Sequence, residues 1–215
     1  MKKMVGKNTK KSISKKILLI LIAMVLVITV LIGSVSIVEH RQEVIALKTE
    51  QSTIVGKMVA AYADGDQLGK LAASDKETEY YQTIKKLLSD IKTATGVKYL
   101  YAVVPLPEEN KIRYLAEGQT PTDNPDDIFT FNTIVDYANF FNSQAEGDAF
   151  VAAFNNGEFF DNGMYQDPEF GYLMTMFVPV IDSGGKTAAM IGVDLSADDV
   201  MNQANQLMYL LIAIA

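Results

Sequence analysis

An uncharged apolar run of 22 residues, from Ile17 to Val38, constrains this chain more than any other feature. About 20 such residues, wound as a helix, cross a hydrocarbon core of roughly 30 Å. Seven lysines and no acidic residue precede position 17, and positive residues beside a spanning helix stay in the cytoplasm. The sequence therefore predicts a cytoplasmic segment over 1–16, a transmembrane helix over 17–38 and an extracytoplasmic chain from residue 39 onward.

A secretory signal peptide is the alternative explanation of this run. Such peptides have an apolar region of about 7 to 15 residues, followed by a small-x-small cleavage site. Ser34, Val35 and Ser36 imitate a site of that kind. The run is longer than a signal peptide requires, which favours the spanning helix.

A second apolar run, 207–215, ends the sequence. Nine helical residues rise about 13 Å, which is less than half of a bilayer. We expect 207–215 to be the start of a second transmembrane helix, so that 39–206 forms the extracytoplasmic domain. A core helix at the end of that domain is the alternative.

Charge and composition exclude several classes of function. Of the 19 basic residues, seven lie before position 17, which leaves 12 against all 26 acidic residues in the rest of the chain. Nucleic-acid binding needs clustered lysine and arginine on the folded part, so no nucleic-acid partner is expected. Cysteine is absent and His40 is the only histidine. These absences exclude thiolate sites, histidine metal clusters and Ser-His-Asp chemistry.

Carboxylates alone remain for metal binding or hydrolysis. The acidic loop with Asp123, Asp126 and Asp127 lacks the spacing and the glycine of an EF-hand. A hydrolase would depend on a carboxylate pair, and the sequence has no motif for one. We therefore expect no enzyme activity, no metal and no cofactor.

A long helix is predicted from Glu39 to about Asp64. One stripe along it has a 3-4 spacing, which suits either packing on the domain or a coiled-coil seam with a second copy. A homodimer through this stripe is our expectation. The stripe comprises Val44, Leu47, Gln51, Ile54, Met58 and Ala61.

A second helix is predicted after a break at Gly65 and Gly69. Ser74 and Glu77 have the spacing of a capping box at its start, and Gly96 suits its C-cap.

Strand patterns dominate the rest of the domain. A loop over 119–127 separates the first two strands from two short helical patterns, 128–141 and 147–155. Pro179 implies a bulge or an edge position in the third strand. The predicted fold class is α+β, a long N-terminal helix with a mainly antiparallel sheet. Its four predicted strands are 99–104, 111–117, 172–181 and 187–195.

An ordered set of short motifs occupies 152–200, preceded by the helix end and strand entry at 96–101 (GVKYLY). The set resembles the Cache sensor domains, PAS-like extracytoplasmic modules of bacterial chemoreceptors, sensor kinases and cyclic-di-nucleotide enzymes. The length suits a single Cache unit. The motifs are Ala153-Phe154-x-x-Gly157, Tyr165-x-Asp167 with Gly171, Val178-Pro179-Val180, the turn Asp182 to Lys186, and Gly192-Val193-Asp194-Leu195.

The resemblance implies a receptor that binds a small-molecule ligand outside the membrane and passes a signal across it. A methyl-accepting chemotaxis protein is the first choice of parent protein. A sensor histidine kinase or a diguanylate cyclase is the alternative, and a pocketless ectodomain that only sets dimer geometry is a rival of another class.

The resemblance also implies that Asp167 and Asp194 hold the ammonium group of a ligand. Amino-acid-binding members hold the ligand's carboxylate with an Arg-x-Trp-Tyr cluster, and the corresponding segment here, 147–154, has neither arginine nor tryptophan. That departure argues against an amino-acid ligand. From the residues alone, Asp194 either caps the following helix near Ser196 or faces a ligand, because an unpaired charge in an apolar strand is costly to bury.

Four further residues are candidates for the ligand site. Tyr99, Tyr101 and Tyr165 either line the pocket with their hydroxyl groups or belong to the core. Arg113 either grips a carboxylate or is a solvated strand residue.

Overall fold

The structure is a computed structural model that describes residues 6–167, 170–198 and 200–202. The described chain divides into two compact units, one comprising 6–44 and the other comprising Ile45–Asn202. Helix α1 (Gly6–Tyr62) contributes its first part to the former unit and its last part to the latter.

In the described part of the chain, α1 is the one helix that is long and apolar enough to cross a membrane. Its most apolar 18-residue window has a mean hydropathy of 3.1, and none of that window is buried. The predicted bounds of the spanning segment, 17–38, stay a prediction. The predicted second segment, 207–215, lies outside the described residues.

The second unit is a six-stranded antiparallel sheet with helices on it. This confirms the predicted α+β class with a mainly antiparallel sheet. The strand order is β3-β2-β1-β6-β5-β4, so β1 and β6 are central. The remaining helices and the strands are α2 (Gly65–Ala72), α3 (Tyr80–Thr95), β1 (Tyr99–Leu106), β2 (Lys111–Glu117), β3 (Ile134–Asp136), α4 (Gln144–Asn156), β4 (Phe160–Asp167), β5 (Gly171–Ile181) and β6 (Thr187–Ser196).

Strand alternation divides the core into two layers. In β1, Leu100 and Ala102 join an aliphatic layer that includes buried residues of α1, α2 and α3. Tyr101 and Val103 point the other way, into an aromatic layer with Phe150 of α4. Successive side chains of a strand face opposite sides of a sheet, so one strand supplies both layers.

The first turn of α3 differs from the prediction. The helix begins at Tyr80, not at the Ser74 to Glu77 box. The Ser74 hydroxyl instead accepts the backbone N–H of Lys76 (3.0 Å) and donates to its carbonyl (2.7 Å), which closes a local turn. The predicted C-cap is confirmed, since Gly96 has a φ of 70°.

The predicted break at Gly65 and Gly69 is the short helix α2, whose N-cap is Asp64. The helical prediction over 128–141 was also wrong, because that segment contains β3 and one short 3-10 helix, Tyr137–Asn139. The pattern over 147–155 is confirmed within α4. Strand β4 was not predicted, since its sequence (FDNGMYQD) has no regular apolar alternation.

Pro179 occupies the kind of position that was predicted for it. Strand β5 pairs with β4 only as far as Phe177, so Pro179 lies where β5 has β6 as its neighbour on one side only. A register shift follows between Val180 and Ile181. The missing N–H of proline therefore costs the sheet no ladder bond.

Candidate ligand-binding site

The aromatic side of the sheet encloses a cavity of about 160 Å³. Its floor is formed by strands β1, β2, β4, β5 and β6, and its walls come from the segment between β2 and α4 and from the β4–β5 turn. It is lined by Tyr99, Tyr101, Tyr114, Glu117, Asp127, Phe129, Val135, Asn139, Phe140, Tyr165, Asp167, Phe170, Leu173 and Asp194.

Five of the six residues proposed from the sequence line this cavity. Their roles in ligand binding stay predictions. Strand alternation brings Tyr99 and Tyr101 of β1 to one face, and Tyr99 pairs directly with Asp194 of β6. Tyr165 and Asp167 stand on the same face of β4.

Asp194 lies at the centre of the site, within β6, and is 3% exposed. Its Oδ1 accepts a hydrogen bond from the Tyr101 hydroxyl (3.0 Å) and one from the Thr175 hydroxyl (2.6 Å). Burial raises the pKa of Asp194 to about 7, although both hydrogen bonds lower it. Asp194 is therefore not a helix cap; the Ser196 hydroxyl accepts from the N–H of Asp198 at that end (3.3 Å).

Gly192 allows Tyr101 to reach Asp194. The two residues pair across β1 and β6, and a Cβ atom at Gly192 would collide with the Tyr101 ring. The ring therefore lies directly on the backbone of β6. This is the close backbone approach for which glycine in a strand is used.

Glu117 is a cavity residue that the sequence analysis missed. It is 3% exposed, and its Oε2 accepts the backbone N–H of Phe129 (3.0 Å). Burial raises its pKa to about 8, with the Phe129 hydrogen bond opposing the shift. The pairing register shifts between Ala102 and Val103, which leaves Leu115 as an extra residue in β2. Because of this bulge, Tyr114 and Glu117 share the cavity face, three positions apart.

The tyrosines of the cavity keep their protons. Burial raises the pKa of Tyr99 to about 12, and it raises those of Tyr101, Tyr114 and Tyr165 as well. Nearby carboxylates add to each shift. The tyrosine hydroxyl groups are therefore neutral hydrogen-bond donors and acceptors at physiological pH.

Asp167 lies at the end of β4, where the chain turns into β5. Its Oδ1 accepts a hydrogen bond from the backbone N–H of Phe170 (2.8 Å), and Asp167 has a further interaction besides this one. Gly171 follows with a φ of 81°. The turn thus places the Asp167 carboxyl group and the Phe170 ring together at the cavity.

Arg113 is the one proposed residue that the structure does not bring to the cavity. It lies between Ile112 and Tyr114, which face the aromatic layer, so its side chain leaves from the opposite face of β2. There its guanidinium group donates to the carbonyl of Ala72, at the end of α2. It is neither a cavity residue nor a solvated one.

No family model and no curated protein matches the sequence. Solved structures do show likenesses. The sensory domain of the Campylobacter jejuni chemoreceptor Tlp3, with isoleucine bound, matches over 93% of this chain and 67% of its own length, with 15% identity and a TM-score of 0.45. The ligand-binding domain of the same receptor with 4-methylisoleucine matches over 78% of this chain, with 15% identity and the same TM-score, and this chain spans 56% of its length.

A methyl-accepting chemotaxis protein (residues 122 to 287) matches over 67% of this chain and 95% of its own length, with 12% identity and a TM-score of 0.34. These are similarities of fold at low sequence identity.

Proposed function

We propose that this chain is the sensory part of a transmembrane receptor, with a chemotaxis receptor as the first choice and a sensor kinase or diguanylate cyclase as the alternative. The domain over 39–206 binds a small molecule that carries a positive or hydrogen-bond-donating group, and Asp167 and Asp194 hold that group. One observation carries the proposal: the carboxyl groups of Asp167 and Asp194, with those of two further acidic residues, and several tyrosine hydroxyls converge on a cavity of about 160 Å³.

This cavity also counts against a pocketless structural module. A buried carboxyl group without a charged partner is costly, and a domain that only sets geometry gains nothing from it. Ligand sites, by contrast, combine an apolar lining with a few convergent polar groups.

A ligand screen tests the proposal directly. The full chain in lipid nanodiscs is melted in the presence of small amines, amino acids and organic acids. A ligand at 100 times its Kd stabilises the native state by about 2.7 kcal/mol, so a binder should raise the melting temperature by several degrees. No shift with any class of compound would reject the sensor function.

Strand β6 offers a route from the cavity to α1. Asp194 lies in the cavity, and two residues later the carbonyl of Ser196 accepts a hydrogen bond from the Lys48 ammonium group of α1 (2.8 Å). We propose that a ligand at Asp194 shifts β6 and so changes this contact. Shifts of about 1 to 2 Å at helix interfaces are typical of such switches.

The topology of the chain is the next prediction. The seven N-terminal lysines should hold 1–16 in the cytoplasm and place 39–206 outside. Protease added to intact spheroplasts should then digest the domain and spare the N-terminus, as detected by tags at either side. Digestion of the N-terminus alone would mean that the topology is the reverse of the one proposed.

The receptor is proposed to be a homodimer through the stripe on α1. In the second unit, Leu47 and Ile54 are 59% and 52% exposed, whereas Val55 and Val59 on the other face are buried in the domain. These two positions of the stripe are therefore largely uncovered by the described part of their own domain. An exposed apolar stripe with 3-4 spacing suits a symmetry mate.

Disulfide crosslinking of single-cysteine variants tests the dimer, since the chain has no cysteine of its own. Crosslinks in membranes should peak at Leu47, Ile54 and Met58 and should fall at Glu43 and Glu50. Equal crosslinking at all five positions would reject the seam.

A further inference from the structure

The cavity carries an unusual set of charges for a small-molecule site. Four carboxyl groups line it, those of Glu117, Asp127, Asp167 and Asp194. Among its described lining residues there is no lysine, arginine or histidine. The site therefore presents acceptors and neutral hydroxyl groups, and no cation, to whatever occupies it.

Two of these carboxyl groups are buried and only partly satisfied by the protein. Asp194 accepts from Tyr101 and Thr175 through Oδ1 alone. Glu117 accepts from the backbone of Phe129 through Oε2. The second oxygen of each carboxyl group has no hydrogen-bond donor in the part of the chain that the structure describes. A donor from a ligand would complete both groups, and a positive charge would compensate the negative charge that each group carries once it is ionised.

The nearest lysines are engaged elsewhere. Lys92 is 3% exposed, and its ammonium group contacts Asp123 Oδ2 (2.7 Å) and the carbonyl of Gly118 (3.3 Å). The ammonium group of Lys98 donates to the carbonyl of Phe170. Both ammonium groups lie against the Tyr99 ring, 5.4 and 5.6 Å from its centroid, and neither residue lines the cavity. The charge of Lys92 lowers the pKa of Glu117 and that of Lys98 lowers the pKa of Asp194, but burial outweighs both effects. A ligand carboxylate would thus contact four carboxyl groups and no basic side chain among the described lining residues.

The volume limits the ligand as well. A protein cavity of about 150 Å³ holds a benzene molecule, which has six non-hydrogen atoms. The cavity here is of the same size, about 160 Å³. Tyrosine and phenylalanine rings around the carboxyl groups favour an apolar stem between or beside the charged ends of a ligand.

We infer that Glu117 and Asp194 make this cavity selective for a small organic cation without a carboxylate, an alkylamine or diamine of about six non-hydrogen atoms, and that they exclude the α-amino acid with the same side chain. This inference rests on the proposed ligand-sensing function and narrows it to one class of ligand. It also assigns a role to Glu117, which neither the sequence pattern nor the resemblance indicated.

Matched pairs of compounds test the inference. Each amine is compared with its carboxylated counterpart: isoamylamine with leucine, and putrescine with ornithine. Isovalerate serves as the acid without an amine. Binding is measured by isothermal titration calorimetry at pH 8, on the full chain in nanodiscs of neutral lipid, so that the amines do not bind the bilayer. At least one amine should bind at least about 100-fold more tightly than its amino acid. The reason is that the amine has no carboxylate to be repelled by Glu117 and Asp194.

Variants assign the selectivity to a residue. Glu117→Gln should weaken amine binding at least about tenfold, because it removes one buried negative charge and keeps the side-chain volume. Glu108→Gln is the matched control, since it makes the same change at an exposed position outside the cavity. Circular dichroism melting confirms that both variants are folded.

Each outcome decides the inference. Preference for an amine, lost in Glu117→Gln and kept in Glu108→Gln, supports it. Binding of leucine or ornithine as tightly as the paired amine, or binding of isovalerate alone, would overturn the inference and leave the sensor function in place. Amine binding that is equal in wild type and Glu117→Gln would overturn the role of Glu117. Failure of every amine, amino acid and acid to bind would remove the sensor function itself.

Discussion

Asp194→Asn should abolish binding of isoamylamine or putrescine while the chain stays folded. The substitution removes the negative charge but keeps an Oδ1 atom in place, so the hydrogen bonds from Tyr101 and Thr175 persist. Truncating one partner of a buried charge pair costs about 2 to 5 kcal/mol. That range corresponds to a loss of roughly 30-fold to several thousand-fold in affinity. Calorimetric titration of wild type and variant at pH 8 measures it.

Asp90→Asn is the matched control for this experiment. Its side chain is 62% exposed on α3 and pairs with the neighbouring Lys86. The control should bind amines with wild-type affinity. A melting temperature at or above that of wild type for Asp194→Asn, together with lost binding, would separate a ligand contact from a structural carboxyl group. Wild-type affinity in Asp194→Asn would exclude Asp194 from the ligand site.

The second large effect is a loss of stability of the empty protein as the pH rises from about 5 to 8. The pKa of Glu117 is raised from 4.5 to about 8, and that of Asp194 from 3.8 to about 7. Between the unfolded and the folded pKa of each group, the folded state holds a proton that the unfolded chain has released. The stabilisation by these protons is therefore complete below pH 4, falls progressively as the pH rises, and is lost once the pH has passed through 7 and 8. Each group contributes a slope of about 1.4 kcal/mol per pH unit.

Glu117→Gln isolates this effect. A glutamine cannot ionise, so the variant should lose about half of the slope and melt at least about 5 °C above wild type at pH 8. At pH 5 the two proteins should melt at similar temperatures. Circular dichroism melts of the full chain across this range provide the measurement. A wild type whose stability rises between pH 5 and 8 would mean that both carboxyl groups are ionised and paired in the folded state.

Removing the charge of Glu117 is expected to stabilise the empty protein and to weaken ligand binding. A residue that destabilises the empty protein but is needed for binding is expected to be kept for function. A residue kept for structure would show the reverse. The same pair of measurements therefore distinguishes the two roles of Glu117 without knowledge of the natural ligand.

Much of the fold could be predicted because the central strands follow the ordinary period of two. Strands β1, β2, β5 and β6 carry aromatic and β-branched residues, and their predicted bounds agree with the structure within about two residues. Strand β4 escaped prediction because it lies at an edge and contributes few core residues. Tyr165 is its main buried aromatic side chain.

The site was predictable only where alternation is regular. Tyr99, Tyr101 and Asp194 stand on regular strands, and their convergence follows from the pairing of β1 with β6. Regular alternation would have placed Glu117 on the side of the helices, and the bulge at Leu115 reverses this. The prediction for Arg113 failed because its two neighbours in β2 face the aromatic layer, so the Arg113 side chain lies on the other face, where it contacts α2. A bulge has no clear signal in one sequence.

In the proposed receptor, the hydrogen bond from Lys48 to the Ser196 carbonyl would set how strongly a ligand must favour the shifted position of β6. A hydrogen bond from a charged group contributes about 1.5 to 3 kcal/mol, which is similar to the coupling energies of allosteric proteins, roughly 1 to 3 kcal/mol. A ligand that favours the shifted strand by this amount would therefore suffice to break the hydrogen bond. The change would be reversible, so the proposed receptor would report the present concentration of its ligand.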